Sequence, residues 1–188
     1  MSAQPKPATM SADNERLAAL LRDSRDHFMA TLAGVSDERS RQRPAQGSWS
    51  VLDCVEHVAG AETFMLGLLQ GPRRPRPDSA PNREAAFFQS VADRSRKVES
   101  PERGRPRGRF ANLDDARKHF ETARADTMRF IQDNTENLRA TEVTHPLFGD
   151  VSVAEMLVIM AKHVERHARQ IEEIKNSPAF LAIMEGRG

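Results

Sequence analysis

Four stretches of this chain place apolar residues in alternating steps of three and four, and none alternates with period two for long enough to read as a strand. Such steps return to one face of a 3.6-residue helix, so each stretch must bury a stripe against something. The stripes are Leu17, Leu21, Ser24, Phe28 and Thr31 in about 13–33, and Cys54, His57, Ala61, Phe64 and Leu68 in about 51–70. The third is Leu113, Ala116, Phe120, Ala123, Thr127, Phe130 and Asn134 in about 113–138. The fourth is Met156, Met160, His163, His167, Ile171 and Ile174 in about 153–175. Starts are marked by Ser50-Val-Leu-Asp53 and Ser152-Val-Ala-Glu155, where hydroxyl and carboxylate satisfy free backbone N–H groups reciprocally, and by Asn112 ahead of Asp114 and Asp115. Gly34, Gly71 and Pro178 stand at or beyond the ends. The fold class expected is all-α, a four-helix bundle over 13–176, with 1–12 as a disordered tail and 177–188 as a C-terminal tail.

Charge marks the one long connection. Residues 71–110 hold eleven basic and five acidic side chains, a net +6 in a chain whose total is +1, and six of the eleven prolines. Proline removes backbone donors and fixes φ, so 71–112 reads as a surface connection with mobile ends, carrying a short helix at about 83–97. It is long enough for a crossover instead of a tight hairpin. Near-neutral total charge favours neither a nucleic-acid protein nor a polyacid. One cysteine excludes an intrachain disulfide. The longest apolar stretch, 151–161, contains Glu155 and is too short for a bilayer, and the N-terminus has no apolar signal core. A cytoplasmic protein with no membrane association is expected.

Core stripes normally carry Leu, Val and Phe, yet two of these carry histidine. His163 and His167 project from one helix face a turn apart, and His57 lies on the inward stripe of another helix. Three imidazoles in one core need a shared partner, because a buried polar ring without one is costly. A divalent cation supplies it, which favours the metal reading over three separately satisfied core histidines. The run His163-Val-Glu-Arg-His167 is not the zinc-protease motif: Glu165 stands about 200° round the helix from His163 and points away. No inward carboxylate replaces it. Cys54, one turn before His57, is a candidate fourth ligand but reads better as a small core residue. Trp49 either walls the site or staples the helix start, and Gln170 either supports a ligand or sits on the bundle shoulder. His27 and His119 read as surface or flank residues, and His145 as a loop residue that either lines the site mouth or, the better reading, is exposed.

Ser48-Trp49-Ser50 with His57 eight residues after the tryptophan, His145-Pro-Leu-Phe-Gly149, and His163-x-x-x-His167-x-x-Gln170-Ile171 together resemble the DinB-like/YfiT-like superfamily, nearest its bacillithiol-transferase-like branch. The resemblance spans about 13–175 and implies an up-down-down-up bundle whose metal ligands are His57, His163 and His167. The Arg/Pro-rich insert at 71–110 departs from the pattern.

Three neutral imidazoles leave the ion's +2 charge intact and a coordination position open. Zn and Ni lead as the metal, with Fe and Mn also able to take imidazole. An ion so held lowers the pKa of water or of a thiol, so two reactions on a small-molecule substrate are expected. Thiol S-transfer with a low-molecular-weight thiol stands first, through the resemblance, and hydrolysis second. A non-catalytic metal-binding stress protein is a third reading. A fourth is DNA binding through Arg103-Gly104-Arg105-Pro106-Arg107, which resembles an AT-hook, although the net −5 outside the insert opposes nucleic acid. A homodimer through an exposed helix face is compatible with the pattern.

Overall fold

The computed structural model describes the backbone of residues 10–96 and 98–185. In chain order the helices are α1 (Ala12–Thr31), the single-turn α2 (Asp37–Ser40), α3 (Val51–Gln70), α4 (Glu84–Ser90), α5 (Leu113–Asp133), α6 (Val153–Lys175) and α7 (Pro178–Glu185). Three short strands, β1 (Arg74–Pro75), β2 (Thr141–His145) and β3 (Gly149–Ser152), and a 3-10 turn at Glu102–Gly104 complete the described elements.

The capping residues act as their chemistry requires. Ser50 Oγ accepts from the Asp53 N–H at 3.1 Å while the Asp53 carboxylate accepts from the Ser50 N–H at 2.9 Å. Ser152 and Glu155 repeat the exchange at 3.0 and 2.8 Å, and α3 and α6 keep the bounds their patterns imply. Asn112 Oδ1 accepts from the Asp115 N–H at the start of α5. Gly34 follows α1 with φ +72°, a left-handed conformation that favours glycine.

Side-chain contacts give the directions of the four long helices. Asn14 reaches the Asn134 carbonyl and Phe28 meets Phe120 edge-on at 5.0 Å, so α1 and α5 are antiparallel. Lys175 reaches the Thr31 carbonyl and His27 lies 3.4 Å from Glu172, so α1 and α6 run together. Glu56 pairs with Arg109 and Glu62 with Arg124, so α3 and α5 are parallel. Each helix packs on two others in the cyclic order α1, α6, α3, α5. The bundle is up-down-down-up, and the parallel α3–α5 pair is what the long 71–112 connection serves.

Several expectations need correction. Strands exist: β2 and β3 form a hairpin pairing Glu142 with Ser152 and His145 with Gly149, and β1 joins through Arg74 opposite Glu142. They are too short for period two to stand out. Helix α5 stops at Asp133, and Leu138 is buried beyond it. In the second half of α3 the buried residues are Glu62, Met65, Leu66 and Leu69, whereas Phe64 is 37% exposed. In α5, Ile131 is buried where Phe130 and Asn134 were expected, and Arg124 is buried too. The expected C-terminal tail contains α7, whose Phe180 is buried under the Arg39 guanidinium at 4.0 Å. The expected N-terminal tail falls mostly at residues 1–9, outside the described ones, while Ser11 caps α1 and Met10 packs on the core.

The insert is docked on the bundle rather than lying loose. Its helix α4 is shorter than expected and seats Phe87 in the core, and Lys97 lies outside the described residues. Arg83 donates its N–H to Glu155 at 2.6 Å, Arg94 pairs with Glu173 at 2.5 Å, and Arg166 holds the carbonyls of Asp93 and Arg96. No described helix is long and apolar enough to cross a membrane.

The apolar core has two parts. One joins the N-terminal half of α6, through Ala161, to Met65, Leu66 and Leu69 of α3; the other joins Val164 to Ile174 of α6 with Val51 to Ala59 of α3. The histidines stand where these parts meet.

Candidate metal centre

Two helices place the three imidazoles. Position 57 faces α6 from the first half of α3, while positions 163 and 167 share one face of the antiparallel α6. Their ring centroids lie 5.0 Å (His57–His163), 4.7 Å (His57–His167) and 4.6 Å (His163–His167) apart. One nitrogen from each lies within 4.8 Å of the other two.

Hydrogen bonds set the direction of two lone pairs. His57 Nδ1 lies 2.5 Å from the Gly104 carbonyl, which can only accept, so Nδ1 carries the proton and Nε2 a lone pair. His167 Nδ1 lies 2.9 Å from Gln170 Oε1. Arg94 donates to that same oxygen at 3.3 Å, which fixes the amide's orientation and puts the proton on His167 Nδ1. His163 Nδ1 is buried with no partner among the described residues, and its Nε2 lies 3.0 Å from His57 Nε2.

This arrangement fits a cation and suits no other partner on view. Without one, His163 either sets a second lone pair against that of His57 or leaves a bare acceptor buried, costing about 1–3 kcal/mol for the unsatisfied group. Two nitrogens at 2.0–2.1 Å from one tetrahedral ion lie about 3.3 Å apart, near the 3.0 Å between His57 Nε2 and His163 Nε2. Burial holds the His57 imidazole below its usual pKa, and holds His163 and His167 well below it, with Arg166 adding to the effect on both. The rings are therefore neutral, as ligands must be.

Trp49 does line the site: its ring is 4.9 Å from His57 and nearly parallel to His167 at 6.0 Å. Gln170 holds the His167 ring through its side-chain oxygen instead of standing free on the bundle shoulder. Cys54 is buried in the second core part, outside the cluster, and burial pushes its thiol pKa up, opposing the thiolate a ligand must be. Glu165 turns to Lys162 and Arg169, away from the site. His27 and His119 are exposed. His145, expected in solvent, is 8% exposed; it stacks on Phe148 and takes the Leu147 N–H on Nδ1 at 3.1 Å. Burial lowers its pKa to about 4. Pairing with Gly149 across the hairpin turns it inward, a register that the Pro146-containing loop hid.

Sequence reasoning missed the part played by the insert. The 3-10 turn supplies the carbonyl that holds His57, and Arg103 of the same turn lies over Phe64 at 5.5 Å. The segment Arg103–Arg107 is thus docked beside the centre. Glu56, buried next to His57, accepts the N–H groups of Arg107 and Arg109. Nothing in periodicity marks a glutamate as buried; only its place beside an inward histidine could have flagged it.

Residues 20–171 match the family model of the DinB superfamily. The chain belongs to the DinB superfamily. It is similar to the uncharacterized protein YuaE of Bacillus subtilis (strain 168), 24% identical over 146 residues, covering 77% of this chain and 88% of that one. Among solved structures it resembles YfiT from Bacillus subtilis, with a TM-score of 0.56, 13% identity, and coverage of 93% of this chain and 92% of that one. YfiT is described as a probable metal-dependent hydrolase with an unusual four-helix bundle topology. It also resembles TT2238, a four-helix bundle protein, with a TM-score of 0.55, 16% identity, and coverage of 85% and 98%. At such identities these two likenesses establish the shared bundle fold.

Proposed function

We propose that His57, His163 and His167 hold one divalent metal ion and that this DinB-superfamily protein is a metal-dependent enzyme acting on small molecules. The convergence of three neutral imidazoles, two with their lone pairs aimed by Gly104 and Gln170, carries this reading. Zn and Ni suit the all-imidazole set best. Bound there, the ion supplies Lewis acidity, making a thiol or a water that reaches it a better nucleophile at neutral pH.

The chain's own residues bind and orient. The Gly104 carbonyl and Gln170 hold two rings in one tautomer, and the Trp49 ring walls the His57 and His167 side. Among the described residues no carboxylate joins the cluster, so neither reaction uses a glutamate or aspartate there as proton acceptor. S-transfer from a low-molecular-weight thiol to an electrophilic small molecule is the leading reading, since a thiol needs the least help to lose its proton. Hydrolysis is the second, supported by the description of the structurally similar YfiT.

Metal-loaded protein should be given 1-chloro-2,4-dinitrobenzene with each of several cellular thiols, and in parallel a panel of activated esters and amides. Thiol-dependent turnover lost in His57→Ala supports transfer. Thiol-independent cleavage with the same histidine dependence supports hydrolysis. No histidine-dependent turnover in either panel rejects catalysis and leaves a metal-binding role.

A further inference from the structure

Consecutive residues of α3 grip the Arg/Pro-rich insert at two points. Glu56 is 1% exposed, and a buried carboxylate needs donors. It takes them from the insert: the Arg107 N–H at 2.7 Å, the Arg109 N–H at 3.0 Å and Arg109 Nε at 3.1 Å. Gly108 lies between them with φ +72°, the turn that aims both N–H groups at one carboxylate. Three residues before the first of these donors, the Gly104 carbonyl meets His57. The stretch between is stiffened by Pro106 and by the 3-10 turn, where the Gly104 N–H donates to Pro101 at 2.8 Å and the Arg105 N–H to Glu102 at 3.1 Å.

We propose that Glu56 is a positioning residue for the metal centre: by clasping Arg107 and Arg109 it seats the Gly104 carbonyl on His57 Nδ1–H, and so keeps His57 Nε2 as the lone pair facing His163 and His167. The proposal rests on the reading of these histidines as metal ligands. It makes the insert a structural part of the centre. Partners that hold a ligand's second nitrogen fix its tautomer and raise its basicity, and their loss typically lowers metal affinity about ten- to a hundred-fold.

Two variants test it. Glu56→Gln sets an amide N–H₂ against the loop's donors. Arg107→Pro removes the 2.7 Å donor at an exposed loop position, along with the side chain's 3.4 Å bond to the Glu102 carbonyl, and changes no residue of the bundle, so it serves if the first variant fails to fold. Metal-free protein carrying ¹⁵N-histidine should show His57 as the Nδ1–H tautomer in the parent and as a mixture in the variants, with His167 unchanged as the internal control. Zinc affinity, measured by chelator competition, should fall about ten- to a hundred-fold in both. A clasp that only stabilises the loop would shift the unfolding midpoint and leave the tautomer alone. If His57 stays the Nδ1–H tautomer and zinc affinity stays within about twofold, the proposal is overturned. If the parent itself binds neither zinc nor nickel, the proposed function falls, and the tautomer measurement on metal-free protein still decides the role of Glu56 in orienting His57.

Discussion

Replacing Glu62 by glutamine should cost this protein a large share of its stability without touching the metal centre. Glu62 and Arg124 pair at 2.7 Å with side chains 0% and 1% exposed. The carboxylate accepts Nε and Nη2 of Arg124 at 2.7 and 2.9 Å and the Thr127 hydroxyl at 2.9 Å; Arg124 also donates to the Leu21 carbonyl and to Ser24. One guanidinium thus joins α1, α3 and α5 in the middle of the bundle. Glu62→Gln leaves the arginine's charge uncompensated and sets an amide N–H₂ against one of its donors. Breaking such a pair from one side costs about 3–5 kcal/mol, against a total of about 5–15 kcal/mol for a typical domain. Glu62→Leu combined with Arg124→Met should recover most of the loss, because both charges leave together and the Leu21 carbonyl keeps its place in a helix. Urea unfolding followed by circular dichroism measures all three proteins. A Glu62→Gln variant within about 1 kcal/mol of the parent, or a double variant no better than the single one, would refute the reasoning.

His57→Ala, His163→Ala and His167→Ala should each abolish stoichiometric metal, read by elemental analysis after dialysis, while the helical dichroism persists; three variants that keep one metal per chain would reject the ligand set. Since burial depresses the His163 and His167 pKa values well below 6.5, protons should compete for these ligands only well below that pH, and metal release with a midpoint above pH 6.5 would contradict the assignment. His145 is held neutral with its pKa near 4, so its contribution to stability is complete above pH 6.5 and is lost as the pH falls from 6.5 toward about 4, where the unfolded chain binds the extra proton. The parent's unfolding midpoint should fall more steeply across that window than that of His145→Leu, and equal slopes would count against it. With Arg103 in a 3-10 turn over Phe64 and Arg109 bound to Glu56, an A·T-rich duplex should show no mobility shift at moderate salt.

The helices were legible because their signals are local: capping residues at 50, 112 and 152, and stripes with a helical period. The histidine cluster was legible because histidine is conspicuous on an apolar stripe. What stayed hidden was buried charge. Glu56, Glu62, Arg124 and Glu155 read as surface residues on any hydropathy scale, and each is buried because a partner far along the chain satisfies it. Reading the stripe of α3 onward from His57 led to Phe64 for the same reason, since the inward place belongs to the charged Glu62. The insert looked loose because proline and arginine dominate it, yet its backbone donors and carbonyls are what the glutamate and the histidine of α3 bind. Hairpin pairing placed His145 inside, and no pattern of four or five residues could announce that.

Trp49 has an optical consequence. It is the chain's one tryptophan, and there is no tyrosine, so near-ultraviolet emission comes from a single indole whose ring lies 4.9 Å from His57 and 6.0 Å from His167. Protonation of either imidazole, arrival of a paramagnetic ion such as Co(II), or the docking of a small molecule against that wall all alter the surroundings of the same fluorophore. Binding of the proposed metal at the three histidines should therefore change the emission of unlabelled protein at micromolar concentration.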